Sequence, residues 1–174
     1  MGYCLGMPKG RESLRGRSNP GVPTSKAALV VVHPMSLDAY ADQDGDAVAL
    51  AGRILDEMET HQGPVIVFGT EDYYGRPIYG GFLSQLSQRG IGIARWVRHE
   101  PWEDGRLGDW GLALARLDKT LRRMRVRSVV VAGLWWGRTG CASYVYEWLG
   151  ERGFDVSSKE GLLGVEDWSP DPVP

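Results

Sequence analysis

The chain has 174 residues, 43% hydrophobic and 24% charged, the proportions of an ordinary globular protein holding one domain and not of a wholly disordered chain. Twenty Lys and Arg stand against 22 Asp and Glu, for a net charge of −2, and no apolar run approaches the ~18–20 residues of a bilayer span. Residues 1–26 carry Lys9, Arg11, Arg15, Arg17 and Lys26 against Glu12 alone, or +4, which leaves −6 for the rest; an acidic body argues against a general nucleic-acid binder.

The opening 26 residues are rich in Gly, Pro, Ser and Arg and have no apolar periodicity, so they read as a flexible basic tail. The folded domain is expected over 27–168, followed by a short tail at 169–174. With two cysteines, Cys4 and Cys141, and no visible secretory leader, the expectation is a cytoplasmic protein with reduced thiols.

From Ala27 the pattern becomes regular. The run AALVVV is too short for a helix, β-branched and closed by His33-Pro34, as a fully buried first strand should be. A helix capped by Asp44 or Asp46 follows, with Val48, Ala51, Ile54, Leu55 and Met58 at three- and four-residue steps. PVIVFG is the second strand, ending at Thr70. A short helix around Phe82, Leu83 and Leu86 stops at Gly90, and IGIARWV is the third strand. Leu114, Leu117, Leu121 and Met124 stripe a third helix, SVVVAG is the fourth strand, and Cys141 to Arg152 is a helix ended by Gly153. Phe154-Asp155-Val156 begins a fifth strand.

Strands alternating with helices predict a three-layer, doubly wound (Rossmann-like) parallel sheet, whose ligands bind beyond the carboxyl ends of the strands. Attention therefore falls on His33, on Thr70 to Tyr74, on Arg98 to Glu100 and on Trp135 to Cys141. Cys141 would open a helix just after the fourth strand, where helix amides and the macrodipole favour a thiolate and could hold an oxyanion. Cysteine is also among the most buried residue types, so packing is the competing explanation. DAYADQDGD lacks the glycine placement of an EF-hand, and GLWWGRTG lacks the Lys-Ser/Thr of a phosphate loop, so neither a calcium site nor a Walker motif is expected.

SVVVAGL, then a loop, a Cys, a helix and ERGFDV resembles the isochorismatase-like cysteine hydrolase superfamily, which includes nicotinamidases and N-carbamoyl amidohydrolases. The likeness covers about residues 110–156 and extends to the first strand. It implies an isochorismatase-like fold and an Asp-Lys-Cys triad. At the Asp position this chain reads ALVVVHPM, placing His33 there, and VRHEPW offers Arg98, His99 and Glu100 where the Lys falls, so only Cys141 is matched. The loop GLWWGRTGC is two residues longer than the family pattern. TEDYYGRP supplies Asp72 but Tyr73 and Tyr74 where metal-binding members have ligands, so no metal and no other cofactor is expected.

Two readings follow. In one, Cys141 and His33 form a nucleophile and base, with Arg98 at the site, acting on a small amide, carbamoyl or cyclic substrate lined by Tyr73, Tyr74, His99, Trp135, Trp136 and Arg138. In the other, the fold has lost hydrolysis and serves binding or assembly; a nucleotide-binding protein is a third alternative. The adjacent tryptophans and the resemblance lead to the expectation of a homo-oligomer, with no nucleic-acid or membrane partner.

Overall fold

The computed structural model describes residues 26–34, 45–69, 72–73, 76–77, 80–99, 109–133 and 140–164; for 45–48, 72–73, 76–77, 80–81 and 83 it describes the backbone alone. The chain order is β1 (Ala28–Val32), α1 (Gly45–Thr60), β2 (Val65–Gly69), β3 (Asp72–Tyr73), β4 (Arg76–Pro77), α2 (Gly80–Arg89), β5 (Arg95–Arg98), α3 (Trp110–Arg123), β6 (Ser128–Gly133), α4 (Cys141–Glu151) and β7 (Asp155–Leu163).

Five strands form one parallel sheet in the order β5-β2-β1-β6-β7, and β3 and β4 make a small antiparallel pair. The period-2 alternation of β1 divides its side chains between two cores. Leu29 and Val31 meet Leu50, Ile54, Leu55 and Met58 of α1 and Phe82 and Leu86 of α2. Ala28, Val30 and Val32 face Ala113, Leu114, Leu117 and Leu121 of α3 and Ala142, Val145 and Leu149 of α4. Both sheet faces are therefore covered, which explains why the strands read as continuous apolar runs. This is the expected three-layer, doubly wound α/β architecture. Among the described residues no helix is long and apolar enough to cross a membrane.

Helix ends follow the glycines. After α2, Gly90 has φ +66°, its N–H donates to the Ser87 carbonyl and that of Ile91 to the Leu86 carbonyl, the paired bonds of a Schellman motif. Gly153 closes α4 in the same way. At α3 the left-handed position is held by Arg125, φ +57°. The Schellman turn also explains why the third main strand is shorter than its sequence suggests. Ile91 and Ile93 pack against the α1/α2 core as part of the turn, and sheet pairing begins where the Ala94 N–H donates to the Val65 carbonyl at 2.8 Å. Helix α1 begins at Gly45; the side chains of Asp44 and Asp46 lie outside the described residues.

Strand β7 departs most from its sequence signal. Ser158 is opposite Val131 and Leu163 opposite Gly133, so residues 159–162 span what Ala132 alone spans on β6. This bulge leans onto α1. Arg53 donates to the Gly161 carbonyl at 2.6 Å, Lys159 pairs with Glu57 at 2.5 Å, and Leu162 is buried in the α1/α2 core.

The order of the sheet reverses between β1 and β6, because the chain builds outward from β1 through β2 to β5 and then returns to β1's other side. That is a topological switch point, where the loops after the two strands diverge and open a crevice. Gly133 ends β6 there with φ +135°, and a Cβ on it would overlap the Val32 carbonyl of β1. Gly133→Ala is expected to cost ~3 kcal/mol or more, read from urea unfolding. Gly150→Ala on α4, where an added Cβ meets nothing within 4 Å, is the control, expected to be neutral or to stabilise by up to ~1 kcal/mol. Equal stability of the two variants would refute the close approach.

Candidate functional site

The carboxyl ends of β1, β2 and β5 bring two histidines together. His33 immediately follows β1 in a left-handed conformation, φ +48°, a costly state for a residue with a side chain. Its N–H donates to the Phe68 carbonyl at 2.8 Å, which extends the β1–β2 ladder by one bond and fixes the turn of the chain. Gly69, at the end of β2, leaves room for the ring: a Cβ there would lie 3.0 Å from His33 Cδ2. His99, just after β5, reaches across β2 from the other side. Nε2 of His33 and Nε2 of His99 are 2.6 Å apart, and the two residues are 5% and 7% exposed.

At that distance one imidazole donates its Nε2–H and the other accepts it, so the two rings share one bridging proton. Burial pushes the His33 pKa down to about 3, and the charge of His99 pushes in the same direction. His33 is therefore uncharged at neutral pH.

Aromatic rings enclose the pair. Trp110, the first residue of α3, lies with its ring centroid 4.9 Å from that of His99, 5.7 Å from His33 and 5.1 Å from Phe68. Tyr144, on the first turn of α4, stands 6.1 Å from Trp110 and is exposed. The sequence reading named His33 and His99 separately and missed Trp110, although Trp110, Leu114, Leu117 and Leu121 continue one helical stripe at steps of four, three and four.

Cys141 stands where the sequence puts it, at the start of α4 beyond the switch point, with Gly140 as N-cap. Its chemistry differs from the expectation. The side chain packs against the α3/α4 core, and burial pushes the thiol up to about 11, offset only in part by its own backbone N–H. The helix terminus is present, but desolvation outweighs it. Among the described residues Cys141 forms no hydrogen bond with His33, whose Nε2 is engaged by His99.

Arg98 is exposed on the edge strand β5, with its guanidinium 5.5 Å from the Trp96 ring centroid, and its carbonyl accepts from Arg116 Nη1 at 3.3 Å. Tyr73 is placed by its backbone in β3, paired with Arg76. Tyr74, Trp135, Trp136 and Arg138 lie outside the described residues. Among the described residues no group of three or more His, Cys, Asp or Glu side chains is arranged to hold a metal ion.

The sequence matches no protein-family model, and no curated protein matches it. Among solved structures the chain is similar to the MAR1 ribonuclease from Caenorhabditis elegans, at 15% identity and a TM-score of 0.48, over 82% of this chain and 66% of that one. The chain thus spans just under two thirds of that structure's length. At this identity and score the likeness supplies neither a residue correspondence nor an activity.

Proposed function

We propose that the protein binds a small, neutral amide or carbamoyl compound at the carboxyl edge of the sheet, beside His33 and His99, without a poised cysteine nucleophile. The observation that carries this reading is the buried 2.6 Å bond between the two histidine Nε2 atoms, which ties the His33 ring to His99, while among the described residues Cys141 forms no hydrogen bond with that ring. The energetics point the same way. Burial pushes the Cys141 thiol up and the His33 imidazole down, and both shifts oppose transfer of the thiol proton to the ring. Imidazoles and aromatic rings with a few polar atoms are the composition of a small-molecule site, and the switch point is where such sheets place one.

Hydrolysis through Cys141 is the second reading, favoured by the position of that residue at a helix start directly after β6. Benzamide and phenylurea separate the two, because hydrolysis of either releases ammonia. The expected result is saturable binding that shifts the ring resonances of His33 and His99, with ammonia no higher than in the protein-free blank. Ammonia release that is lost in Cys141→Ala would put the hydrolase first. Failure of both compounds to bind or turn over would remove the small-amide reading.

A further inference from the structure

Trp110 carries a feature that packing does not explain. The residue is 6% exposed, and its Nε1 has no hydrogen-bond partner among the described residues. Buried indole N–H groups are ordinarily paired, and phenylalanine would fill much of the same volume without leaving a donor unmet. The ring contacts those of His33, His99, Phe68 and Tyr144, at centroid distances of 5.7, 4.9, 5.1 and 6.1 Å. Of these five residues Tyr144 alone is exposed, so Trp110 joins the buried histidine pair to the solvent-facing rim.

An indole N–H only donates, and what it lacks is an acceptor. The surroundings choose the kind. A buried cluster of aromatic rings would strip water from an ionised carboxylate at high cost, whereas a neutral carbonyl oxygen enters at much lower cost. We propose that Trp110 is the specificity-determining donor of this site, giving its Nε1–H to the carbonyl oxygen of the bound amide or carbamoyl compound. The inference rests on binding at this edge and adds the ligand atom that is read and the residue that reads it.

The test uses the full chain with 15N-labelled indoles, benzamide as the carbonyl-bearing probe and toluene as its counterpart without an acceptor; the Trp110 signal is the one missing from Trp110→Phe. Benzamide is expected to move the Trp110 indole proton downfield and toluene to leave it in place. Benzamide affinity should fall about tenfold in Trp110→Phe, with toluene binding unchanged. Should Trp110→Phe fail to fold, Trp110→Tyr supplies the assignment, and the two-probe comparison on the wild-type chain decides. An indole proton that ignores benzamide while benzamide still binds, or that moves equally with toluene, overturns the donor role and leaves the binding reading intact. Absence of benzamide binding to the wild-type chain overturns both.

Discussion

Iodoacetamide should alkylate Cys141 about 100-fold more slowly at pH 7 than it alkylates the cysteine of a short blocked peptide. With its pKa pushed up from the ordinary 9.0 to about 11, the Cys141 thiol is ionised to about one part in ten thousand at that pH, against about 1% for the unperturbed group. The alkylation rate should rise tenfold per pH unit through pH 10 and begin to level only near 11. The measurement is site-resolved mass spectrometry in a Cys4→Ser background, with His33→Asn beside it. Asparagine is chosen because it tolerates the left-handed backbone that His33 adopts, φ +48°. Since the thiol forms no hydrogen bond with His33 among the described residues, the substitution should leave the rate within twofold. Labelling at pH 6 that outpaces the blocked peptide and collapses in His33→Asn would establish the nucleophile and base instead.

How much of this was legible beforehand depends on which contacts each feature needs. Strands β1, β2 and β6 announce themselves as short β-branched runs because both faces of the sheet are buried, and α2 and α4 end where a glycine takes a positive φ. These are local signals. The start of β5 is not written locally, because Ile91 and Ile93 have the pattern of strand residues yet pack against the α1/α2 core before sheet pairing begins at Ala94. Strand β7 carries the exposed sequence Ser157-Ser158-Lys159-Glu160, in which neither apolar alternation nor the bulge against α1 is written.

The site divides along the same line. That His33 and His99 each follow a strand was readable, but their pairing depends on β1 and β5 flanking β2, a long-range fact of strand order. The position of Cys141 was readable from the spacing. Its ionisation was not, because the helix-terminal effect is local whereas the desolvation that exceeds it comes from the α3/α4 core. Sequence motifs of this kind locate a residue with respect to its own helix and leave open what the rest of the fold packs around it.

Stability should fall steeply in acid because of His33. In the unfolded chain its imidazole takes up a proton near the ordinary 6.5, while in the native structure burial and His99 delay protonation until about 3. Between those values the unfolded state binds more protons than the native state, so unfolding free energy decreases as pH decreases. Above pH 6.5 His33 imposes no penalty. Below it the loss accumulates at about 1.4 kcal/mol per pH unit and reaches ~5 kcal/mol by pH 3, a large share of the ~5–15 kcal/mol of a typical domain. Carboxylates titrate in the same window, so the informative quantity is the difference between wild type and His33→Asn, whose side chain does not ionise and which tolerates the same left-handed backbone. Urea unfolding at half-unit steps from pH 7.5 to 3.5 should show the variant less stable at neutral pH, where the native histidine bond is intact. The two stabilities should then converge and cross as pH falls. Parallel curves across the range would mean that His33 titrates alike in the folded and unfolded chains, and a buried, uncharged His33 at the carboxyl edge would have to be abandoned.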